Sequence, residues 1–198
     1  MNTRNFLKLM LPALAVLLLT SCIPSLNSFC YDKDVIDVPL LIGKWKSPEG
    51  NESLEFMAEG KQVILKHNDG KHDGYFFVRP FKLEQQMFID LYPLKEPFKG
   101  AKKTYQNPEM NSVLGISMLQ AHQLMRATLN ANELQLSYMN YEWLKKNLVM
   151  ASPAPLPFVK NETGDPLLTA STGELQEYVR KNLATPDFFN KPGIFKKN

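Results

Sequence analysis

Ser53-Leu54-Glu55-Phe56-Met57-Ala58-Glu59-Gly60, continuing through Gln62-Val63-Ile64-Leu65-Lys66-His67 to Asn68-Asp69-Gly70-Lys71, is the stretch that decides the fold. Leu54 and Phe56 alternate with Ser53, Glu55 and Met57, the period of a strand with one buried face. Glu59-Gly60 and Asp69-Gly70 are turn pairs, because glycine supplies positive φ cheaply and Asp tolerates it. Strands of this length joined by such short turns run antiparallel.

The same texture extends in both directions. Leu41–Lys46, Gly74–Arg79, Phe81–Leu83 and Gln86–Tyr92 are strand-length runs, and Gly50-Asn51 adds a further turn. Residues 93–116 hold three prolines, two glycines and the cluster Lys99, Lys102 and Lys103, and read as a long loop at one end of the sheet. Strand character returns over Met118–Asn130 and Glu133–Met139, with Asn130-Ala131-Asn132 as the hairpin turn and Leu134, Leu136 and Tyr138 on one face. A helix is expected over Tyr141–Val149, stopped by Pro153, Pro155 and Pro157. A second should start at Ser171-Thr172-Gly173-Glu174, a capping-box pattern, with Leu175, Val179 and Leu183 on one face and Pro186 after it.

Composition sets the bounds. With 198 residues, 44% hydrophobic and 22% charged, the chain has material for one well-cored domain and is too apolar for a disordered one. A formal charge of +3 is too small to point to nucleic acid. Two cysteines supply neither a disulfide scaffold nor a four-thiolate metal site.

The first 22 residues read as an address. Arg4 and Lys8 precede an apolar run, Leu9–Leu19, broken only by Pro12. As a helix these residues would rise roughly 16 Å, about half a bilayer core, so the run fits the apolar region of an export signal and not a span. Leu19-Thr20-Ser21-Cys22 resembles the bacterial lipobox, which implies acylation of Cys22 and cleavage before it. Removing residues 1–21 takes away two basic residues and no acid, so 21 basic against 20 acidic side chains leave about +1. By the same resemblance, Ile23 behind the cysteine favours the outer membrane over the inner. Residues 22–38, with Pro24, Ser25, Asn27, Ser28, Asp32, Asp34 and Asp37, read as a tether. Cys30 is then a free thiol in that tether or, in an oxidising envelope, a partner for a second chain.

Gly43-Lys44-Trp45 resembles the Gly-x-Trp signature of the lipocalins. In that family glycine lets the chain bend into the barrel and tryptophan closes its floor, commonly under an arginine from a late strand. The resemblance implies closure by Gly43, Trp45 and Arg126; the second lipocalin signature is absent. More broadly, the order lipobox, Gly-x-Trp, Phe88-Ile89-Asp90-Leu91-Tyr92, Ala121-His122-Gln123-Leu124, Tyr141-Glu142-Trp143-Leu144 and Leu168-Thr169-Ala170-Ser171-Thr172 is similar to a group of uncharacterised bacterial lipoproteins. That group implies fold and location, and no activity.

Several segments hold residue types that can carry chemistry, and each has a plainer role. His67-Asn68-Asp69-Gly70-Lys71-His72-Asp73-Gly74 offers two His and two Asp, but an EF-hand loop from Asp69 would place Lys71 at the third position and Pro80 where a bidentate Glu is required. A solvated turn explains the segment, and no metal or other cofactor is expected. Gly115-Ile116-Ser117-Met118-Leu119 lacks the second glycine of a nucleophile elbow. His122 is a barrel-wall histidine or, with an acid such as Asp90, a base. Phe56, Phe77, Phe88, Tyr92, His122 and Tyr138 are the candidate lining of a ligand cavity; Phe76 and Phe81 extend that set, and packed core is its alternative. Lys99, Lys102, Lys103 and a tail with Lys196 and Lys197 are solvated or lean on anionic lipid.

The expectation is a mainly β protein, an antiparallel lipocalin-like barrel over 39–198 with one or two flanking helices. It would be lipid-anchored and hold a small hydrophobic or amphipathic ligand. The alternative is an envelope interaction protein with a filled core; an enzyme using His122 is a third reading.

Overall fold

A computed structural model describes residues 23–107, 120–161 and 164–198. The export signal, the lipobox and Gly115–Leu119 lie outside the described residues. Twelve strands are present among them: β1 Gly43–Lys46, β2 Ser53–Glu59, β3 Gln62–Asn68, β4 Asp73–Leu83, β5 Gln86–Pro93, β6 Phe98–Lys99, β7 Thr104–Tyr105, β8 Gln123–Leu129, β9 Glu133–Tyr138, β10 Phe158–Lys160, β11 Pro166–Leu168 and β12 Gly193–Lys197. Eight of them close an antiparallel barrel in the order β1-β12-β9-β8-β5-β4-β3-β2. The expected mainly β, lipocalin-like architecture is the one found.

Strand parity sorts the side chains. Trp45, Leu54, Phe56, Leu65, Val78, Ile89, Leu91, Met125, Ala127, Leu134, Leu136 and Phe195 pack together inside the barrel. Residues of opposite parity, among them Phe81, Leu83, Phe88 and Leu124, form a second core outside it. That outer core is covered by helix α1 (Tyr141–Leu144) with its π-helical continuation Lys145–Val149, and by helix α2 (Thr172–Asn182). Ser171 caps α2 as its sequence implies: Oγ accepts from the Glu174 amide, and the Glu174 carboxylate accepts from the Ser171 amide at 2.8 Å.

Several expectations are corrected. Residues 23–38 are not a free tether: Ile23, Ser25, Phe29 and Cys30 are buried, the apolar ones in the outer core. Polar composition hid this, because the apolar residues are few and their hydrogen-bond partners lie far along the chain. Phe81–Leu83 is not a separate strand but the end of β4, which carries Pro80 in its interior. Proline is tolerated because β3 pairs no further than Val78; beyond it the segment at Val35 and Ile36 lies alongside, and the Ile36 amide donates to the Pro80 carbonyl. The loop expected over 93–116 contains the small hairpin β6–β7, whose Phe98 and Tyr105 pack with Phe77, Ile64 and Leu94 on the outer wall. Residues 196–197 are no tail. They belong to β12, the strand that closes the barrel against β1 and β9.

Candidate functional site

The two ends of the barrel are built differently. At one end Gly43, at φ +126°, turns the chain into β1, a conformation that side chains other than glycine rarely adopt. Trp45 is fully buried there, its indole N–H donating to the Leu41 carbonyl at 2.8 Å. The Lys197 ammonium lies 4.9 Å from the Trp45 ring centroid and donates to the Leu40 carbonyl at 2.9 Å. Lys197, not Arg126, is the cation over the tryptophan. Arg126 pairs in register with Phe88 and Ser137, which places it on the outer face, with its guanidinium 4.7 Å from the Phe189 ring. Order along the chain could not separate the two cations; parity does.

At the other end the barrel holds a cavity of about 310 Å³. Its wall and floor are Leu54, Leu65, Phe76, Leu91, Met125, Leu136 and Phe195, and its rim carries Glu52, His67, Gln123, Tyr138, Asn190 and Lys191. The rim lies where β3, β9, β8 and β12 start or end, so polar side chains meet water while the strand interiors stay apolar. His67 Nε2 and Glu52 Oε1 are 2.8 Å apart, tying the β1–β2 connection to β3. The combination of an apolar interior and a few convergent polar groups is the usual form of a small-molecule site.

The six candidate lining residues divide sharply. Tyr138 borders the cavity. Phe56 faces the barrel interior but is packed opposite Gly43 and Leu65, and does not border it. Phe77, Phe88, Tyr92 and His122 have outward parity and are corrected to the outer wall: Phe77 stacks on Tyr92 and Phe98, Phe88 on Phe81 and Phe189, and Tyr92 on His122. Aromatic content alone could not tell the two faces apart. Phe76, of the extended set, also borders the cavity, while Phe81 lies in the outer core. Leu54 and His67 were reachable from the parity of Trp45 once the hairpin registers were set, whereas Asn190 and Lys191 carry no sequence signal.

A second polar cluster sits on the outer wall. Asp90 is fully buried; its carboxylate accepts from Ser28 Oγ and faces His122 Nδ1 at 2.9 and 3.0 Å. Arg79 donates to Ser28 Oγ at 3.0 Å and to Asp32 at 2.5 Å. A nucleophilic triad sets an imidazole between hydroxyl and carboxylate, but here the carboxylate is in the middle, and among the described residues no hydroxyl hydrogen-bonds to His122. The cluster fastens the N-terminal segment to β4 and β5. Cys30 lies beside it with its thiol pushed up to about 11, first by burial and then by the Asp90 charge, which leaves it protonated and inert near neutral pH.

The turn at 67–74 is held by its own backbone. Asp69 Oδ1 accepts from the amides of Lys71 and His72, bonds that hold its carboxyl below the usual range, and Gly70 sits at φ +89°. Among the described residues no three His, Cys, Asp or Glu side chains converge as a metal site. Lys99, Lys102 and Lys103 are exposed on the β6–β7 hairpin, and Lys196 pairs with Glu133. No family model, curated protein or solved structure matches the chain.

Proposed function

We propose that this is an exported, lipid-anchored envelope protein whose barrel holds a small amphipathic molecule, apolar part inward and polar end at the rim. The observation that carries the reading is the cavity itself: about 310 Å³ of unfilled space inside an otherwise packed barrel. That volume is at the lower limit of usual small-molecule sites, about 300 Å³, and suits a single short chain or one ring system. The rim offers donors from Lys191 and Gln123 to a polar end. The lipobox-like Leu19-Thr20-Ser21-Cys22 supports the anchor, and Ile23 supports the outer membrane. A filled-core interaction protein would have no reason to leave this space open.

The test is displacement of a fluorescent apolar probe, anilinonaphthalene sulfonate, from purified protein, with native mass spectrometry for co-purified ligand. Leu136→Trp fills the cup and should weaken probe binding at least about tenfold, a loss near 1.4 kcal/mol. Equal binding by both proteins would overturn the cup as the site. Cys22→Ser should release the protein from membranes and abolish fatty-acid labelling; unchanged labelling would refute the anchor.

A further inference from the structure

The segment that follows Cys22 has no slack. Ser25 exchanges backbone hydrogen bonds with His122 at 2.9 and 2.8 Å, and on its other side the Leu168 amide donates to Pro24 and the Leu26 amide to Leu168, both at 2.9 Å. Asn27 donates to the Ala170 carbonyl at 2.9 Å, Thr172 to the Ser28 carbonyl at 2.8 Å and Gln176 to the Phe29 carbonyl at 3.1 Å. Ile23 itself is 2% exposed. Residue 22 is bonded to it, so their Cα atoms are about 3.8 Å apart. Acyl chains carried at position 22 would therefore start within one residue of the folded domain, with no tether between.

Residues 23–27 lie between His122 and the β10–β11 hairpin as an added strand. Ser25 and Leu168 point into the outer core, so by alternation Pro24, Leu26 and Leu167 face away from it, and Val159 joins them as the register partner of Leu167. Leu26 is 39% and Val159 50% exposed. On the opposite flank His122 leads directly into Gln123, a rim residue of the cup.

We infer that the domain docks on the bilayer surface through Pro24, Leu26, Val159 and Leu167, with the mouth of the cup held at the edge of the membrane. The inference rests on acylation of Cys22 and goes beyond it, since anchoring through a long tether would leave orientation free. An amphipathic molecule leaving the bilayer then reaches the rim with little exposure of its apolar part to water.

The experiment uses the full acylated chain in vesicles of phosphatidylethanolamine and phosphatidylglycerol containing headgroup-nitroxide lipid. A thiol-reactive fluorophore is placed at Val159→Cys or, at the closed end, at Lys61→Cys, with Cys30→Ala in both. Quenching should be several-fold greater at 159 than at 61. Insertion of about ten Gly and Ser residues between Cys22 and Ile23 should bring the two values together without changing acylation. Equal quenching in the native-length chain, with acyl chains present by mass spectrometry, overturns the docked orientation and leaves the anchor standing. A chain without acyl groups overturns the anchor reading and the docking with it. An unchanged difference after insertion overturns the role given to the short connection.

Discussion

The inside of the barrel and the layer outside it are made from the same strands and filled to different degrees. Inside, one end is packed around Trp45 and the other is left open. Outside, Phe81, Phe88, Phe188 and Phe189 stack edge to face or tilted against one another, closed over by α1, α2 and the N-terminal segment. Three of the aromatics on β4 and β5 that could have filled the cup, Phe77, Phe81 and Phe88, have the parity that sends them outward. The difference teaches that hollowness here is a matter of register and not of hydrophobic content.

That contrast can be broken by substitution. Phe88→Ala, in the filled outer layer, should cost about 3–5 kcal/mol in urea unfolding; a cost near 1 kcal/mol would show the layer to be loosely packed. Introducing tryptophan separates the faces further: Leu124→Trp on the outer side should destabilise by about 1–3 kcal/mol, while Leu136→Trp beside the cavity should change stability by less than about 1 kcal/mol. Equal costs would mean that the cup is not free space in solution. The smallest effect concerns Cys30. Its thiol has a pKa of 9.0 when unperturbed and about 11 in the fold, so the folded protein binds more protons between those values. The stability this contributes is fully present below pH 9 and lost as pH rises through about 11. Cys30→Ala should flatten that part of the stability–pH curve, and an unaltered slope would place the thiol in water.

Much of the fold was legible because hairpins are local. Asp69-Gly70, Glu59-Gly60 and Asn130-Ala131-Asn132 set neighbouring strands by themselves, and the Ser171–Glu174 cap marks its helix. What was not legible depends on distant partners. Gly193–Lys197 becomes a strand only because β9 and β1 lie on either side of it. Ile23, Ser25, Phe29 and Cys30 are buried only because His122, Leu168 and Gln176, far along the chain, supply bonds to their segment. The site suffered most: Tyr138 and Phe76 border the cavity, but Arg126, Phe77 and Phe88 share the residue types of a lining or lid and differ from it only in which way a strand turns them.

Trp45 and Lys197 are neighbours across the seam between β1 and β12, although 152 positions separate them in sequence, the difference of their residue numbers. A polypeptide emerging from its N-terminal side can pair its first barrel strand with β2 at once, but must hold that strand's other edge unmatched until β12 arrives, with Lys197 not yet over the tryptophan. Closure of the barrel is thereby deferred until β12 has been made. A chain clipped before Gly193 would leave raw edges on both β1 and β9, ready to zip onto another molecule.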